Sequence, residues 1–179
     1  NMELRDEILR ESSKANTMAV VAWAGDNPER IAQLVDLFLH GEYRVVQRAA
    51  WILSYVSDKY PELIQPHLAV MVDRMGHPGI PVAVKRNVVR ILRDMPVPET
   101  LQGPVMHFCF QFLEDPKETV AVKAFSMAIL GRLAKIYPDI RNEIVMLIED
   151  HLREGATPGI RSRGIKTLKE LGALKKTGK

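Results

Sequence analysis

Apolar positions in this chain recur at helical spacing, and one stretch of them returns four times. The copies are Val45–Leu53 (VVQRAAWIL), Val84–Leu92 (VKRNVVRIL), Val122–Leu130 (VKAFSMAIL) and Ile160–Leu168 (IRSRGIKTL), starting 39, 38 and 38 residues apart. A fixed period of this size is the signature of one supersecondary unit stacked on itself. Between the copies lies a looser recurrence that opens on proline: Pro28 through His40, Pro61 through Met75, Pro98 through Leu113 and Pro138 through Leu152. Proline at a first helical position loses only an N–H that would be unpaired anyway, and a following acid suits the helix N-terminus. In the third stretch Leu101, Val105, Phe108 and Phe112 fall four, three and four apart, on one helical face. We term these stretches the A helices and the recurring copies the B helices. Gly41, Gly76–Gly79, Asp115-Pro116 and Gly155–Gly159 are the expected A–B turns. No stretch alternates in steps of two, so no sheet is predicted.

The predicted fold is therefore all-α: a solenoid of about four helix pairs over 28–59, 61–94, 98–136 and 138–173. Residues 2–24 form an N-terminal cap of one long or two broken helices, and 174–179 a basic tail. The whole of 1–179 reads as one domain.

Aligned on the repeat, the B helices become columns, each one direction in space. Leu53, Leu92, Leu130 and Leu168 form an invariant column. Ala50, Val89, Met127 and Ile165 form an apolar one, as do Val56, Met95, Leu133 and Leu171, so all three are predicted core. Ala49, Val88, Ser126 and Gly164 form a small column, as expected where helices approach closely. A further set reads Gln47, Trp51, Ser54; then Arg86, Arg90, Arg93; then Ala124, Ala128, Gly131; then Ser162, Lys166, Lys169. A column holding Trp, Arg, Ala and Lys is not a core column, so this face is predicted to meet solvent. Two readings of Trp51 stand open: exposed beside the arginines, or buried against Tyr55 or the cap.

An A/B helix pair at this period, with helix B opening on Val-Lys or Ile-Arg and running to Ile-Leu, resembles the HEAT repeat. The resemblance implies a right-handed α-α superhelix with the B helices on the concave side. It implies a binding scaffold, with Trp51, Arg86, Arg90, Arg93, Lys166 and Lys169 as partner-binding residues around a floor of small side chains. Lys85, Lys123 and Arg161 match the family's basic position, where Val46 stands in the first copy. No acid sits at a constant offset in the turns to pair with them. A weaker resemblance links Gln47–Leu53, Lys123–Phe125, Ala134-Lys135 and Pro138-Asp139 to the HEAT-like alkylpurine DNA glycosylases. The Trp-Trp-Asp element of those enzymes is absent, so this resemblance implies nucleic-acid binding without glycosylase chemistry.

Charge then sharpens the picture. The chain carries a net charge of +3, but every B region is net basic and every A region net acidic, an arrangement that steers acidic partners to one side. The expected partner is an acidic protein segment or a nucleic acid. Arg and Lys on a helix surface are equally read as merely solvated.

Enzyme chemistry is not indicated. The five histidines share no face at metal-ligand spacing. There is no phosphate loop or nucleophile elbow, and no cofactor is called for. The single cysteine, Cys109, lies in an apolar helix and reads as packing. One cysteine, no span of roughly 18 apolar residues and no basic-then-apolar leader give a cytoplasmic expectation. Asn1 ahead of Met2 suggests a native start at Met2. Oligomeric state is left open, the last repeat being a candidate edge.

Overall fold

The computed structural model describes residues 3–174, so the basic tail of Lys175, Lys176 and Lys179 lies outside the described residues. Every regular element among them is helical. The cap is two helices, α1 (Leu4–Arg10) and α2 (Lys14–Ala24). The A helices are α3 (Pro28–His40); α5 (Pro61–Ile64) with α6 (Leu68–Arg74); α8 (Glu99–Glu114); and α10 (Arg141–Arg153). The B helices are α4 (Tyr43–Lys59), α7 (Val82–Asp94), α9 (Val120–Leu133) and α11 (Pro158–Glu170).

Local chemistry sets these boundaries. Asn27 Oδ1 accepts from the backbone N–H groups of Glu29 and Arg30, with Pro28 opening α3. Ser13, Thr119 and Thr157 cap α2, α9 and α11 in the same manner. Gly25, at φ 49°, turns the chain out of α2. The second A helix is not the continuous Pro61–Met75 element that its spacing predicts. Pro66 lacks a donor and its ring clashes with the carbonyl one turn back, so the segment breaks into α5, a 3₁₀ turn over Gln65–His67, and α6. Pro104, by contrast, sits inside α8, and the carbonyl it strands belongs to exposed Thr100.

The chain divides into two compact units, residues 1–91 and 92–179. In the first, α4 is the central helix, with α1, α2, α3 and α5 packed on it. In the second, α9 takes that place, contacted by α8, α10 and α11. The repeat columns form the cores. Leu53, Leu92 and Leu130 are fully buried and Leu168 nearly so. The small column is buried throughout, and a Cβ on Gly164 would come within 3.1 Å of Ile148 Cγ2, so α11 approaches α10 closely there. Two predicted core residues of the last copy are not fully buried: Leu171 is half-buried and Ile165 more exposed. Ile165 is 36% exposed, whereas its equivalents Ala50, Val89 and Met127 are buried. Met127 faces α11, lying near Gly164; Ile165 points to the same side of the last repeat, which no described helix follows.

Buried Asn16, Asn87, Gln102 and Ser126 are all hydrogen-bonded. Buried Asn16 donates to the Glu7 and Glu11 carbonyls and accepts from Arg10, tying α1 to α2. Arginines satisfy the C-terminal carbonyls that a helix cannot pair internally. Arg48 donates to the Ile8 carbonyl at 3.1 Å, Arg74 to Leu39 at 3.0 Å and Arg141 to Leu171 at 2.9 Å. Arg132 serves the end of α7 alone, donating to Met95 at 2.7 Å, Leu92 at 3.3 Å and also Arg93. Burial pulls the Arg132 guanidinium below its ordinary range, and the nearby Asp94 acts in the opposite sense.

Three measurements test this account. Arg132→Met should cost about 2–3 kcal/mol in urea unfolding, since it strips a charged donor from several covered carbonyls. Thr167 occupies the column of Ile52, Ile91 and Ile129, is fully buried, and its hydroxyl has no partner among the described residues. Thr167→Val should therefore stabilise by about 1 kcal/mol and raise Tm by roughly 2–4 °C. Cys109 is fully buried, and desolvation pushes its thiol up to about 12, against a weaker opposing hydrogen bond with Ser126. It should react with a thiol reagent only on unfolding. Above the ordinary value of 9.0 the unfolded chain ionises while the folded one does not, so this residue's contribution to stability should fall between pH 9.0 and about 12.

Candidate binding face

The candidate face is built from the outward columns of the B helices. On α4, Trp51 is 63% exposed, which settles its two readings in favour of exposure. Neither its ring nor its indole N–H has a partner among the described residues. Trp23 is the contrast: the Arg30 guanidinium sits 4.9 Å from its ring centroid, and Arg30 also donates to the Trp23 carbonyl. Two turns before Trp51, Tyr43 is 67% exposed, and its hydroxyl accepts from Gln47 Nε2 at 2.7 Å. Tyr43 lies outside the outward columns predicted from the sequence, which open at Gln47. Extending them back one turn gives Tyr43, Val82, Val120 and Pro158, and all four are exposed. The residue types of this column are legible in the sequence, whereas its exposure runs against the rule that apolar columns are core.

On α7, Arg86 and Arg90 are half-buried and make no ion pair or hydrogen bond among the described residues. In repeat register they stand where Gln47 and Trp51 stand on α4. Arg93 differs. Its guanidinium holds both carboxylate oxygens of Asp94 at 2.9 and 2.8 Å and lies 4.9 Å from the centroid of Phe125 on α9. That engagement fixes it in place and neutralises part of its charge.

In the third copy the solvent-facing prediction is corrected. Ala128 and Gly131 are buried, and a Cβ on Gly131 would come within 3.1 Å of Thr167 Cγ2. Here the column is the seam between α9 and α11, closed because its side chains are small, and not a floor open to solvent. On α11, Ser162, Lys166 and Lys169 take the same register and are exposed. The predicted residues therefore fall into distinct settings: Trp51, Arg86 and Arg90 in the first unit; Arg93 engaged by its neighbours; and Lys166 and Lys169 on the outward side of the last helix.

Among the described residues there is no cluster of three or more His, Cys, Asp or Glu side chains able to hold a metal ion. No helix there is long and apolar enough to cross a membrane. A shallow hollow between α1 and α3, lined by Leu4, Arg5, Gln33 and Asp36 among others, is broadly open and gathers no catalytic set.

No curated protein and no solved structure matches the chain. The family described as the HEAT repeat domain matches residues 4–171, nearly its whole length. Paired helices at a period of 38–39 residues, cores built on repeat columns and close helix seams at small residues agree with that match, and the chain belongs to the HEAT-repeat family, whose members are helical scaffolds for protein interactions.

Proposed function

We propose that this protein is a non-enzymatic scaffold that recognises an acidic segment of a partner protein through its B-helix face. The observation that carries the reading is the first unit's surface: a solvent-exposed Trp51, with Arg86 and Arg90 in the equivalent register one repeat on and outside any ion pair among the described residues. A surface arginine without a local carboxylate keeps its charge available to a partner, and exposed Trp and Arg are the side chains that dominate protein interfaces. Lys166 and Lys169 provide a second basic patch, and Arg93, already bound to Asp94, contributes mainly to the field. The net basic B regions favour acidic partners over basic ones at encounter.

A fluorescein-labelled peptide of alternating Asp and Glu tests the reading by anisotropy at about 50 mM salt. Binding should weaken about tenfold or more in an Arg86→Ala/Arg90→Ala variant, with less effect from Lys166→Ala/Lys169→Ala. Failure of the peptide to bind would overturn the reading. If an oligo(dT) strand binds in its place, with a log–log salt slope near 0.7 per phosphate, the face belongs to nucleic acid.

A further inference from the structure

We infer that the last described repeat pairs with a second copy of this chain, α10 of one copy docking on α11 of the other. In the seam between α9 and α11, a Cβ on Gly159 would lie 3.1 Å from Val120 Cγ1 and one on Gly164 3.9 Å from Met127 Sδ. A Cβ on Gly131 would lie 3.1 Å from Thr167 Cγ2. Val120, Met127 and Gly131 are thus the stripe by which one B helix packs on the next. One period on, the same stripe is Pro158, Ile165 and Lys169, and all three are exposed. Ile136 and Met146 are more exposed than Ile165, but neither shares its column, whose other members Ala50, Val89 and Met127 are buried. On α11 a helix-packing stripe therefore stands without a described helix on it.

Charge selects the occupant. Arg161 and Lys169 stand four residues before and after Ile165, about 40° to either side of it around the helix. Both are exposed, and neither makes an ion pair or hydrogen bond among the described residues. The counterpart lies on the neighbouring helix. Met146 is 55% exposed on α10, and Glu143 and Glu149 stand three residues before and after it, about 60° to either side. Neither carboxylate is in an ion pair among the described residues, whereas Asp150 is already held by Arg153. The two helices thus share one plan with opposite signs: an apolar centre with a charge about one turn away on each side. Residues 175–179, Lys-Lys-Thr-Gly-Lys, hold no acid that could meet the cations.

Within one copy α10 and α11 pack on each other, Ile148 lying against Gly164. A two-fold axis along this pair forms the contact twice, each α10 on the other copy's α11. The like pairings, α10 on α10 and α11 on α11, bring equal charges together, so the charges fix which helix meets which. A small apolar centre rimmed by ion pairs gives a weak, salt-sensitive association. It engages Lys169 and leaves the face of the first unit untouched, so it stands or falls apart from the acidic-partner reading.

Sedimentation equilibrium of the full chain at about 100 µM and low salt should show a mass approaching twice 20.2 kDa, and about 0.5 M salt should return it toward one copy. Arg161→Glu/Lys169→Glu and Glu143→Lys/Glu149→Lys should each sediment as a monomer with unchanged helical circular dichroism. An equimolar mixture of the two variants should associate again, because each reversed stripe meets its reversed counterpart. Should the variant at half-buried Glu149 fail to fold, Glu143→Lys mixed with Lys169→Glu makes the same test at exposed positions. Wild-type chain that stays monomeric at this concentration overturns the inference. So does association that survives both reversals, or a mixture of folded variants that stays monomeric. If the chain is monomeric and Arg161→Glu/Lys169→Glu weakens its binding to the Asp/Glu peptide, the stripe belongs to a foreign acidic partner and the inference fails.

Discussion

Stacking short helices leaves every helix with carbonyls at its C-terminus that its own backbone cannot satisfy, and in a repeat these ends lie against neighbouring elements where water access is limited. This chain answers with arginine. Arg48, Arg74, Arg132 and Arg141 each reach from one element to the terminal carbonyls of another, closing α1, α3, α7 and α11 in turn. The guanidinium suits the task. It stays charged when partly covered, offers several donors in a rigid fork, and places positive charge at the negative end of the helix dipole. Apolar columns decide which faces meet, while these contacts decide where along its axis each helix stops.

That division of labour explains what could be read from the chain. The core columns were legible because they repeat: Leu53, Leu92, Leu130 and Leu168 say the same thing four times, and all are buried. The arginine contacts were not legible, because they follow no column. Arg48 lies within a B helix, Arg74 ends an A helix, Arg132 is near the end of α9, and Arg141 opens α10. The misreadings have physical causes too. Ile165 shares a core column but lies in the last described repeat, where no described helix covers it. Ala128 and Gly131 are predicted to meet solvent because Trp51, Arg90 and Lys166 share the column of the first, and Ser54, Arg93 and Lys169 that of the second. Their smallness was the better signal, since small side chains let helices close on one another. The break at Pro66 follows from the ring's own chemistry, and the helical spacing around it disguised it.

Bulk at one column position separates a seam from a surface. Where the column carries Ala128 the side chain is buried, and in the next column Gly131 lets α11 close to van der Waals distance with Thr167 filling the gap. Where the column of Ala128 carries Trp51, an indole cannot enter so tight a seam, and the ring stands in solvent. The same register thus does structural work in one repeat and leaves a large aromatic side chain uncovered in another, which accounts for the uneven column without any change in fold. The protein can also cover a tryptophan when the sequence provides for it, as Arg30 does for Trp23.

Exposing a ring that folding could have covered forgoes hydrophobic stabilisation, by roughly 1.5–3 kcal/mol for a large side chain. Against a typical domain stability of about 5–15 kcal/mol, that is a large share to leave unused. Tyr43 adds a second such exposure on the same helix, and Val82 a third on the next B helix. In the first unit these three, the most exposed of its large apolar residues, sit on outward B columns, Trp51 in the register of Arg90 and Tyr43 with Val82 one turn before the register of Arg86, while α6 leaves Val70 46% exposed and α3, the A helix paired with α4, buries Ile31, Leu34, Val35, Phe38 and Leu39. Apolar area left in solvent at Trp51 and arginine side chains outside any ion pair at Arg86 and Arg90 are two separate costs of the free protein, and they fall on equivalent columns of successive B helices.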